Sequence, residues 1–138
     1  MITPKECLTK FGDPVKESGM VVFMVPPELR EGKIPMKIYC NKQMVEPLKA
    51  AFKNLIDRGF IDELKSWDGC FMIRKIRGGV NYSIHSWGLA VDVNAAENGL
   101  GVEPKLSEGF VKCFTDAGFD WGGLWERKDG MHFQLAKI

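Results

Sequence analysis

No stretch of this chain is apolar for long enough to cross a bilayer. Its longest such run, Met20 to Pro27, falls far short of the roughly 20 residues a spanning helix needs. Nor does the start, Met1-Ile-Thr-Pro-Lys-Glu6, carry the basic stretch and apolar run of a signal peptide. Synthesis in the cytoplasm without membrane insertion is therefore expected, and any work outside the cell would need release by another agent. Charge of one sign is also lacking. Nineteen Lys and Arg against eighteen Asp and Glu leave a net charge of +1, and no clustered basic stripe suggests nucleic acid as a partner. An anionic polymer remains admissible as a substrate. Cysteine is sparse and dispersed, at positions 7, 40, 70 and 113, with no two closer than thirty residues. That spacing excludes a Cys-x-x-Cys knuckle or redox pair. In a protein that is not exported, such cysteines are expected as buried thiols, packing as small hydrophobes.

What is present reads as one domain, residues 1–138, and as a monomer. An apolar fraction of 45% and a charged fraction of 27% are ordinary for a globular protein of 138 residues, a length that buries a core without staples. No repeat, low-complexity tract or hinge-like linker interrupts it. Met20 to Val25 is a β-rich run stopped by Pro26-Pro27, and Met36 to Cys40 alternates in the same way. Val45, Leu48, Ala51, Phe52, Leu55 and Ile56 keep helical spacing up to Gly59, with Pro47 in or near the first turn. A second helix is expected from Ser107 to Ala117, stopped by Gly118. Strands are expected at Cys70–Ile76, Leu89–Val93 and Met131–Ala136. The fold class is α+β, a small antiparallel sheet with helices packed on one face.

Histidine is among the scarcest residues that carry chemistry. Its two copies lie in Ser83-Ile-His85-Ser-Trp-Gly88-Leu-Ala90-Val-Asp92 and in Asp129-Gly-Met-His132. Alternation puts Ala90 with Asp92 on one strand face, and His132 with Gln134 on one face of the last strand. Each strand thereby offers an apolar face to a core and a metal-capable residue to the other side. Six residues separate His85 from Asp92, which suits a loop followed by a strand, with Gly88 permitting the bend. His/Asp/His is a zinc donor set that leaves a fourth position for water. The plainer readings are a satisfied polar histidine, a turn-capping Asp92 and a β-turn at Asp129-Gly130.

The spaced pattern Ser83-x-His85-x-x-Gly88-x-Ala90-x-Asp92 followed by Asp129-x-x-His132 resembles the zinc D-alanyl-D-alanine carboxypeptidases and dipeptidases, a group that includes phage L-alanyl-D-glutamate endolysins. Arg74-Lys-Ile-Arg77-Gly78 and Trp121-Gly-Gly-Leu-Trp125 also look like its smaller members, and the similarity spans roughly residues 35 to 136. The resemblance implies a fold similar to the Hedgehog signalling domain. It implies Zn2+ held by His85, Asp92 and His132, with Asp129 as general base. Many relatives carry glutamate there; aspartate is associated with the endolysin branch. An upstream arginine, Arg74 or Arg77, would steady the substrate carbonyl, with a solvated strand edge as the plain alternative for both. Ser83 would orient the ligand loop by a hydrogen bond. Glu126 is the rival base, with Asp120 and Asp116 behind it. Trp87, Trp121 and Trp125 wall the cleft or pack in the core.

The implied function is zinc-dependent hydrolysis of peptidoglycan stem peptides in the cell wall, as a phage-type endolysin. A D-alanyl-D-alanine carboxypeptidase is the close alternative, and a non-catalytic zinc module is the alternative from another class.

Overall fold

The computed structural model describes residues 1–138 as an α+β fold with three helices and two small antiparallel sheets. The first helix, α1 (Pro4–Phe11), has the sequence of a helix start: Thr3 and Glu6 form a reciprocal capping box and Pro4 stands in the first turn. Gly12, at φ 77°, ends it. Its C-terminal end braces a distant segment, because the indole of Trp87 donates to the Gly12 carbonyl at 2.9 Å. The sequence left the first thirty residues without a role; α1 supports the turn that carries His85.

Strands β1 (Met20–Met24) and β2 (Lys37–Asn41) pair antiparallel, with Phe23 opposite Ile38 and both buried. They form a sheet of their own instead of joining the other strands, so the single expected sheet is two. The link between them is one backbone bond, Asn41 N–H to the Gly88 carbonyl at 3.0 Å. Gly88 sits at φ 66°, and a Cβ there would lie 2.8 Å from the Asn41 nitrogen. Only glycine permits that approach.

Helix α2 (Val45–Asp57) buries Leu48, Ala51, Phe52 and Leu55 along one stripe. Pro47 occupies its first turn, where no intrahelical N–H is lost. Helix α3 (Glu108–Thr115) starts at Ser107, whose hydroxyl accepts from the Phe110 N–H, and buries Phe110, Val111, Cys113 and Phe114. The main sheet has the order β3 (Trp67–Gly69), β4 (Ala90–Val93), β6 (His132–Leu135), β5 (Phe119–Trp121), antiparallel throughout. One face meets the helices: Phe133 stacks on Phe114 with centroids 4.5 Å apart. The core is one continuous cluster of 27 buried residues. All four cysteines belong to it as free thiols, and burial pushes those of Cys7 and Cys40 up to about 12.

The expected strand at Cys70–Ile76 is absent. The chain leaves the sheet after Gly69, whose φ of 137° and register shift end the pairing. From there its backbone bonds to the turn Ile84–Trp87 and the residues around it: Met72 N–H to the His85 carbonyl, Arg74 N–H to the Ser86 hydroxyl, and Ser83 N–H to the Arg74 carbonyl. Apolar alternation looked like a strand, but this segment's partners are a turn, a serine and a single antiparallel bridge of Lys75 with Tyr82. No helix of the molecule is long and apolar enough to cross a membrane.

Candidate metal centre

Register decides the centre of the site. Asp92 on β4 lies directly opposite His132 on β6, with Ala90 opposite Gln134, while Val91 and Phe133 point to the core. His85 arrives from the short 3-10 turn Ile84–Trp87, started by Ser83, whose hydroxyl accepts from the His85 N–H at 3.3 Å. His85 Nε2 and His132 Nδ1 stand 3.1 and 3.4 Å from the same oxygen, Asp92 Oδ1. The three donor atoms lie within 4.8 Å of one another.

Each ring's outer nitrogen is already held. His85 Nδ1 is 2.6 Å from the Cys70 carbonyl, and His132 Nε2 is 2.9 Å from Gln134 Oε1. A carbonyl oxygen only accepts, so those partners assign the ring protons to the outer nitrogens. The inner nitrogens then present lone pairs to a carboxylate oxygen. His85 Nε2 and Asp92 Oδ1 are buried without a hydrogen-bond partner, although they are 3.1 Å apart. Lone pairs facing each other at that separation repel unless a cation or extra proton lies between them. The arrangement therefore fits a zinc-type ion: two imidazoles, one carboxylate, and an outer acceptor on each ring.

The two histidines and the aspartate also shift one another's protonation. Burial favours the neutral ring of His132, but its hydrogen bond and charge interaction with Asp92 outweigh this and raise its pKa. Burial likewise pushes the Asp92 carboxyl up, yet the hydrogen bonds and charges of the two histidines hold it well below the usual carboxylate range.

Asp129 stands beside the cluster, its Oδ2 3.9 Å from His132 Nδ1, outside the three-residue donor group. Burial raises its pKa, Asp92 adds to the rise, and the positive charges of His132, His85 and Arg74 oppose it. Its backbone is fastened on both sides: Asp129 N–H donates to the Gly122 carbonyl and its own carbonyl accepts from His132 N–H. A Cβ on Gly122 would come within 2.6 Å of the Asp129 carbonyl oxygen. The Trp121 indole, donating to the Gly130 carbonyl, secures the same loop from below.

Asp92, His132 and Asp129 line a cleft of about 180 Å³, which Arg74, Arg77, Ser83, Trp125 and Arg127 also line. Both candidate arginines are thus at the cleft, and the charge of Arg74 is the one that reaches Asp129. Ser86 was not legible as a site residue; fully buried, it clasps both the N–H and the carbonyl of Arg74. Gln134 was assigned a face but no task, and its place two residues after His132 was the available signal. Trp125 walls the cleft, with its ring 5.2 Å from that of His132. Trp87 is buried against Tyr82 instead, and Trp121 stacks on Phe133, so core packing claims those two. Glu126 borders a separate shallow depression, and Asp116 is paired with Arg58 at 2.8 Å. Asp120 sits on β5 opposite Gln134 and outside the cleft lining.

What fold and geometry define is a small α+β protein with a two-histidine, one-aspartate donor cluster, of which Asp92 and His132 line an arginine-lined cleft. Residues 77–135 match the model of a family described as D-alanyl-D-alanine carboxypeptidase, a segment that contains His85, Asp92, Asp129 and His132 but begins after Arg74. No curated protein and no solved structure gives a significant match to the chain.

Proposed function

We propose that this chain is a zinc-dependent peptidase of peptidoglycan stem peptides and, within that class, an L-alanyl-D-glutamate endopeptidase of the phage endolysin kind. The observation that carries the reading is the convergence of three lone pairs, two of them on orphaned buried atoms, inside the segment similar to D-alanyl-D-alanine carboxypeptidases. His85 through Nε2, Asp92 through Oδ1 and His132 through Nδ1 would hold the ion. When bound, zinc would activate water and polarise the scissile carbonyl.

The chain's own residues supply the rest. Asp129, with its carboxyl raised by burial, is proposed to accept the attacking water's proton and return it to the leaving amine. A raised pKa makes this carboxylate the stronger base for the first transfer. Arg74, pinned at its backbone by Ser83 and Ser86, is proposed to steady the charge that develops on the carbonyl oxygen. Trp125, with its ring 5.2 Å from that of His132, walls the cleft beside the reacting atoms.

Aspartate at position 129 favours the endopeptidase, whereas the description of the matching family favours a D-alanyl-D-alanine carboxypeptidase as the second reading. Digestion of purified peptidoglycan, with new termini identified by mass spectrometry, separates them. New N-terminal D-glutamate indicates the endopeptidase, and released D-alanine the carboxypeptidase. Chelation should abolish either activity and zinc restore it; hydrolysis indifferent to chelators would overturn the proposal.

A further inference from the structure

Three guanidiniums line the cleft, and the proposed mechanism uses one. Neither Arg77 nor Arg127 has a carboxylate partner, unlike Arg58, which is paired with Asp116 at 2.8 Å. The Arg77 guanidinium donates no hydrogen bond within the protein. Arg127 donates one, from Nη2 to the Arg77 backbone carbonyl at 2.9 Å, which ties the Asp129 loop to the Arg74–Tyr82 segment. Each guanidinium carries five N–H donors, so most of this wall's hydrogen-bonding capacity faces solvent. The carboxylates at the cleft do not neutralise it. Asp92 is engaged by His85 and His132, and Asp129 lies nearest His132. Glu103 and Glu126 share the neighbouring depression with Arg127 but form no ion pair with it.

An ordinary exposed arginine is solvated and needs no partner. Here Arg127 is tied to the Arg77 backbone and both guanidiniums line one concave wall that Asp92 and His132 also line, so the wall can serve as an anion receptor. Leu100, Met131 and Trp125 give the same cleft an apolar side. The complementary ligand has a small apolar group next to an anionic one. Planar guanidiniums match carboxylate with paired hydrogen bonds, which are stronger than neutral ones.

We infer that Arg127, with Arg77, forms a carboxylate-recognition subsite, and that Arg127 determines specificity for a substrate bearing a free carboxylate close to the scissile bond. The inference rests on the peptidase reading above. In a stem peptide that carboxylate has two sources, the α-carboxylate of the D-glutamyl residue and the C-terminus.

Three synthetic probes separate them: an L-Ala-γ-D-Glu-L-Lys-D-Ala-D-Ala pentapeptide, its D-glutamyl α-carboxamide, and its C-terminal carboxamide. KM and kcat are measured for the zinc-loaded wild type, Arg127→Met and Arg127→Lys. Calorimetric binding to the zinc-loaded Asp129→Asn variant gives affinity independently of turnover. The expected result is that one amide, and not the other, raises KM roughly tenfold or more at little change in kcat, the scale of a lost charge-assisted hydrogen bond. Arg127→Met should show the same loss with the free-carboxylate peptide and little further loss with that amide, because peptide and protein changes remove one shared interaction. Arg127→Lys should recover part of the affinity.

If wild type binds all three probes equally, or Arg127→Met weakens all three alike, the subsite is refuted while continuing cleavage leaves the peptidase reading standing. If the wild type neither binds nor cleaves any stem peptide, the peptidase reading falls and takes the subsite with it.

Discussion

Removing the amide of Gln134 tests the electronic logic of the centre without touching a metal donor. Gln134 and His132 are 2% and 5% exposed, and the His132 Nε2–Gln134 Oε1 contact is 2.9 Å. Gln134→Leu keeps the volume and deletes the acceptor. The imidazole then has two options. It leaves a buried Nε2–H unpaired, at a cost of about 1–3 kcal/mol, or moves the proton to Nδ1 and withdraws its lone pair from the cluster. Either way zinc should bind roughly 10–100-fold more weakly, the usual effect of losing such an outer partner. That ratio corresponds to about 1.4–2.8 kcal/mol. At zinc well above Kd the stabilisation conferred by the ion falls by the same amount. For a chain of this length the zinc-dependent rise in Tm should shrink by about 5–10 °C. Competition against a chromophoric chelator gives Kd directly, and thermal unfolding with and without zinc gives the Tm difference. Gln134→Glu retains an acceptor and should keep tight binding. A folded Gln134→Leu protein with wild-type zinc affinity would refute the assignment of the ring protons, and with it the lone-pair argument.

Three further outcomes are expected. Asp129→Ala should retain zinc while hydrolysis drops by roughly 10²–10⁴-fold; unchanged activity would move the base elsewhere, and loss of metal in a binding assay would make Asp129 a donor. Gly122→Ala sets a Cβ 2.6 Å from the Asp129 carbonyl oxygen, so the loop must shift. It should cost about 1–3 kcal/mol in denaturant unfolding and lower kcat more than zinc affinity. The buried thiols of Cys7 and Cys40 ionise near 9 when unfolded and at about 12 when folded. The folded state thus binds more protons between those values, so stability contributed by these groups is intact below pH 9 and is lost as pH rises towards 12. Urea unfolding across that range, and thiol labelling that requires unfolding at neutral pH, check it.

Local periodicity made several elements legible. The stripe Leu48, Ala51, Phe52, Leu55 could only be buried as a helix, and Ser107 with Gly118 bracketed α3 correctly. Alternation put Asp92 and His132 on faces opposite the core, which holds because a strand's period of two is a property of its backbone. Cys70–Ile76 misled for the same reason in reverse: alternation specifies a half-buried extended chain and cannot say what that chain bonds to. Its partners, the turn at His85, the Ser86 hydroxyl and a lone bridge to Tyr82, come from later in the sequence. Helix α1 was overlooked although Thr3, Pro4 and Glu6 spelled its start.

Scarcity of histidine and the spacing of its acidic neighbours were enough to nominate a donor set, because zinc ligation depends on residue type. Whether those donors share a point in space depends on register, and that is a long-range property. The opposition of Asp92 to His132, the His85 ring proton held by the Cys70 carbonyl, and the reach of Arg127 to Arg77 all join residues far apart in the chain. Packing set them, through a glycine at position 88 that lets β2 approach and a glycine at position 122 that seats the Asp129 loop. Composition nominates the chemistry, but atoms a few ångströms apart are brought together only when the whole core closes around them.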